Sequence, residues 1–66
     1  MKKEIRNRIK QLELQIEADN DLMNLLSDEI HCSEDVEEAG KIVVTMLIIG
    51  TRKNKKYEEL FELYQR

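Results

Sequence analysis

The sequence predicts an all-α fold. A long N-terminal helix folds back as an antiparallel helical hairpin on a second apolar helix, a short third helix follows, and two copies form a homodimeric helical bundle. Three observations predict it. The 66 residues contain no Pro and only two Gly, with 38% charged residues, which favours helices over a turn-rich sheet. Apolar residues recur at alternating steps of three and four along the first thirty positions. The stretch GKIVVTMLIIG, Gly40 to Gly50, is apolar on nearly every side as a helix and needs more cover than so short a chain provides.

The first helix is expected over about 2–31. Ile5, Ile9, Leu12, Ile16, Met23, Leu26 and Ile30 hold the heptad register, with Asp19 standing at the one core position left between Ile16 and Met23. An acid on the core line either breaks the packing or pairs with a cation from a partner. Leu22 and Leu25 widen the stripe, which suits a bundle better than a narrow two-stranded seam. His31 and Cys32 mark the join, Ser33 is the expected N-cap, and Glu34 and Asp35 place negative charge in the next first turn.

The second helix is expected over about 34–49, with Val36, Val43 and Leu47 completing the core and dimer set, and with Gly50 ending it in the left-handed conformation. Its β-branched run also carries a strand signal, but a strand here would have to pair with another chain. A membrane span would need about twice this apolar length. Residues 51–56, TRKNKK, read as a basic linker, and Tyr57, Leu60, Phe61 and Tyr64 as the face of a third helix over about 56–65. All 66 residues form one small domain.

Charge is segregated although the net charge is only -3. Between Gln11 and Gly40 there is no Lys or Arg but there are ten acids. Glu13, Glu17, Asp21, Asp28, Glu34, Asp35, Glu37 and Glu38 form a candidate acidic interaction surface. Arg6, Arg8, Lys10, Arg52, Lys53, Lys55 and Lys56 form a candidate basic pole, brought to one end if the hairpin closes as expected.

Chemistry is sparse. The single cysteine excludes an internal disulfide, and Asp28, His31, Cys32 and Asp35 match no standard metal set. Asp19, Asn20 and Asp21 lack the Gly and distal Glu of a calcium loop. No catalytic, cofactor or metal residues are expected, and the chain is not expected to be an enzyme. The basic start MKKEIRNRIK has no apolar run after it, so a cytoplasmic location is expected. The expected function is that of a small regulatory or interaction protein that binds another protein through a helical surface. The alternatives are an acidic DNA-mimic inhibitor, a nucleic-acid-binding dimer using the basic pole, and a structural assembly protein.

An apolar first helix, a short turn and a second helix also resemble short bacterial regulators of the Spo-zero-E type, which stimulate dephosphorylation of a response regulator. Their second helix carries a Ser-Gln-Glu-Leu-Asp signature. The alignable stretch here, Gly40 to Val44, has neither the Ser nor the acid, so the resemblance is one of architecture and transfers no functional residue.

Overall fold

The computed structural model describes residues 2–66. Two helices make up the fold, α1 over Lys3–Cys32 and α2 over Val36–Tyr64, packed antiparallel. They form a rod of 50 × 15 × 11 Å.

The expected third helix does not exist. TRKNKK and the Tyr57–Tyr64 segment are the second half of α2, which runs unbroken for 29 residues. Neither glycine has a positive φ, so Gly50 is an interior helical residue and not a terminator. A glycine inside a helix costs about 1 kcal/mol relative to alanine, too little to stop one that has a partner along its whole length. That partner is α1, 30 residues and about 45 Å long. Had α2 ended at Ile49, Ile9 and Leu12 would lie bare; in the folded chain Leu60 and Leu63 cover them. Arg and Lys in the 51–56 run are good helix formers, and Thr51 adds a hydrogen bond from Oγ1 to the Leu47 carbonyl at 3.0 Å.

The turn also differs from expectation. Ser33 closes α1, its N–H donating to the Ile30 carbonyl at 3.2 Å. The N-cap of α2 is Asp35, whose Oδ1 accepts from the Glu37 N–H at 3.0 Å. The side chain of Ser33 donates to the Asp35 carbonyl, tightening the connection.

Both helices keep one heptad seam against each other. On α1 it holds Ile5, Ile9, Leu12, Ile16, Asp19, Met23, Leu26 and Ile30, as the spacing predicts. On α2 it holds Ala39, Ile42, Met46, Ile49, Lys53, Lys56, Leu60 and Leu63. Every one of these residues is buried or half-buried. Packing is tightest at the end of the rod carrying the termini, where Leu12 is fully enclosed with Ile9 and Leu63, flanked by Ile5 and Leu60. Towards the turn, Met23, Leu26, Ile30, Ile42 and Met46 are only half-buried. Val36, Val43 and Leu47, expected in the core, are exposed on the single chain.

Candidate interaction surface

Among the described residues five polar pairs cross between the helices and set their alignment. Asp19 makes the two central ones. Its side chain is only 7% exposed, and its two oxygens accept from Lys56 Nζ at 2.8 Å and from Arg52 at 3.0 Å. The acid on the core line thus finds its cations within its own chain. Lys53 Nζ donates to Asn20 Oδ1 at 2.8 Å. Arg8 grips Glu59 with two parallel hydrogen bonds of 2.6 and 2.8 Å, and the Tyr64 hydroxyl donates to Glu13 at 3.0 Å.

These pairs shift the groups that make them. The Lys56 ammonium, and behind it Arg52, hold the Asp19 carboxyl below its ordinary 3.8 in spite of burial. The bond from Arg8 likewise lowers Glu59 from 4.5. Glu13, accepting from the phenol, pushes Tyr64 above 10.0. For the two acids, the unfolded chain takes up protons at the ordinary values and the folded chain only at lower pH. Their contribution is complete above the ordinary values and is lost as pH falls through the depressed ones. The free energy of unfolding, followed by circular dichroism in urea, should therefore decline with falling pH below 3.8. Asp19→Asn should decline less steeply over that range; an unchanged slope would remove Asp19 from the acid response.

The candidate basic residues do not gather at one end. Arg52, Lys53 and Lys56 lie midway along the rod, bonded to Asp19 and Asn20, and Arg8 is held by Glu59. Arg6 and Lys10 stand exposed near the termini, and Lys55 lines a shallow cleft with Leu47, Ile48, Thr51 and Arg52. The candidate acids are all exposed. Glu13, Glu17, Asp21 and Asp28 follow one another along the outer side of α1, while Glu34, Asp35, Glu37 and Glu38 surround the turn.

What the single chain leaves uncovered on α2 is mainly apolar, in two stretches, Val36 to Ile48 and Tyr57 to Tyr64. One residue on from each interior position of α2 lies a second heptad seam: Val36, Gly40, Val43, Leu47, Gly50, Asn54, Tyr57, Phe61 and Tyr64, at alternating steps of four and three. Val36 is 87% exposed, Leu47 69% and Phe61 66%. A Cβ on Gly40 or Gly50 would meet nothing within 4 Å, so both glycines open directly onto this seam. Val44 and Ile48, also exposed, extend it around the outside of α2. The Tyr64–Glu13 pair fixes which flank of the rod the seam occupies, because Tyr57, Gly50, Val43 and Val36 follow Tyr64 at seven-residue intervals. The Arg8–Glu59 pair marks the opposite flank, where Leu22 follows Arg8 at two heptads.

The periodicity of α2 showed a helix but not this surface, because a segment apolar all round gives no sign of which side faces inward. Among the described residues no group of three or more His, Cys, Asp or Glu could hold a metal ion, and no helix is long and apolar enough to cross a membrane. No protein-family model, curated protein or solved structure matches the chain.

Proposed function

We propose that the protein acts without catalysis, as a helical docking element that binds another protein surface through the second seam of α2. The observation that carries this reading is the exposed apolar seam of α2, Val36 to Leu47 and Tyr57 to Tyr64, on a helix already packed along its other side. Monomeric proteins rarely leave so long an apolar surface open; one that persists marks an interaction site. Nucleic-acid binding has less in its favour, since Arg8, Arg52, Lys53 and Lys56 are engaged within the rod. A second reading, an acidic surface occupying a basic nucleic-acid site, has the stripe from Glu13 to Asp28 behind it.

A photo-cross-linking amino acid placed in turn at Leu47, Phe61, Asp21 and Lys10 in living cells separates these readings. Docking through the seam predicts protein adducts at Leu47 and Phe61 and few at the other two. Adducts concentrated at Asp21, on nucleic-acid-binding proteins, would favour the acidic-mimic reading. Equal yields at all four positions would overturn both.

A further inference from the structure

Building on that reading, we infer that the first occupant of the α2 seam is a second copy of this chain, packed antiparallel, so that two hairpins form a four-helix assembly with their α2 helices in the middle. Four observations converge on it.

The single chain is under-covered. Among the described residues it buries five hydrophobic ones and leaves eleven large ones exposed, and small domains without disulfides or metals usually close such a deficit by self-association. The area fits when the adjoining flank of α1 is counted with the seam: the broad side of the rod, 50 by 15 Å and shared by both helices, offers on the order of 750 Å², close to the roughly 800 Å² that each partner gives to a standard interface.

The seam is tapered. Its turn half holds Val36, Gly40, Val43 and Leu47, and its terminal half holds the aromatics Tyr57, Phe61 and Tyr64. An antiparallel partner sets the bulky half of each copy against the slim half of the other, filling the space over Gly40 that nothing in the chain fills. A parallel partner would press aromatics on aromatics at one end and leave glycine against glycine at the other.

Charge points the same way. Residues 28–38 around the turn hold six acids and no Lys or Arg. At the opposite end, residues 2–10 and 58–66 together hold six Lys or Arg and four acids. Antiparallel packing lays each acidic turn beside the partner's net-positive end, whereas parallel packing brings the two acidic turns together.

Sedimentation of the full chain should give twice the 7.9 kDa monomer mass. Leu47→Glu and Phe61→Glu, both at exposed positions, should each sediment at the monomer mass while remaining helical by circular dichroism. Orientation is read by oxidation in a Cys32→Ser background. Val43→Cys mixed with Phe61→Cys should give a disulfide-linked heterodimer several-fold faster than either variant alone. Faster linkage of Val43→Cys to itself would overturn the antiparallel arrangement, and a wild-type monomer at micromolar concentration would overturn the dimer. If the chain is monomeric but Leu47 still cross-links to a different protein, the docking reading survives and the dimer falls. If neither association is seen, both fall.

Discussion

Reversing the charge at one buried position, Asp19→Lys, should unfold the hairpin at room temperature. The substitution places a third cation against Arg52 and Lys56, the two groups that Asp19 now neutralises from within the interface. Breaking a buried ion pair costs about 3–5 kcal/mol, and a chain of this size has a total stability of the same order. The loss should appear as a collapse of the helical circular dichroism signal. The double variant Asp19→Lys with Lys56→Glu should recover most of it, since the pair is restored with its sign exchanged and Arg52 gains an acid four residues on along its own helix. Failure of the swap to rescue would mean that Asp19 acts by its size and shape and not by its charge.

The triad also explains why two apolar helices settle in one alignment. Leu, Ile and Met can interdigitate in several heptad registers, and apolar burial alone separates them weakly. Sliding α2 by one heptad would bring Met46 and Ile49, or Leu60 and Leu63, opposite Asp19 and leave its carboxylate buried without a cation. Lys53 on Asn20 and the fork of Arg8 on Glu59 repeat the constraint on either side. A charged triad therefore gives this rod specificity that its hydrophobic residues cannot supply.

The same residues account for what was legible in the sequence and what was not. α1 could be read residue by residue because only Asp19 interrupts its apolar stripe. GKIVVTMLIIG was legible as a helix, although its orientation was not. The continuation of α2 was hidden because the interior positions following Ile49 are Lys53 and Lys56, so the period persists in spacing but vanishes in hydropathy. Gly50 and the lysine-rich run then resembled a helix end. Two signals pointed to the longer helix: the length of α1, which needs a partner equally long, and an acid on its core line, which needs a cation opposite.

Leu12→Ala should cost about 3 kcal/mol, the largest loss of any simple truncation, because among the described residues Leu12 is the one large side chain fully enclosed and its removal leaves a cavity between Ile9 and Leu63. Leu26→Ala, at the equivalent seam position two heptads nearer the turn, removes the same atoms from a half-buried site and should cost roughly 1 kcal/mol in the isolated chain. The contrast, measured by urea denaturation at low concentration, tests whether the rod is held mainly at the end bearing its termini. Such a distribution is unusual for a hairpin, where the residues nearest the turn meet at the lowest entropic cost. It follows from composition: the turn half of α2 places Ala39, Ile42 and Met46 inward but spends Val36, Val43, Val44, Leu47 and Ile48 on the outside. Apolar material is not scarce there; it is aimed away from α1. If a second copy covers that half, the cost of Leu26→Ala should rise with protein concentration while that of Leu12→Ala stays nearly constant. Equal costs for the two at every concentration would place the stability of the rod evenly along its length and deny the turn half any external support.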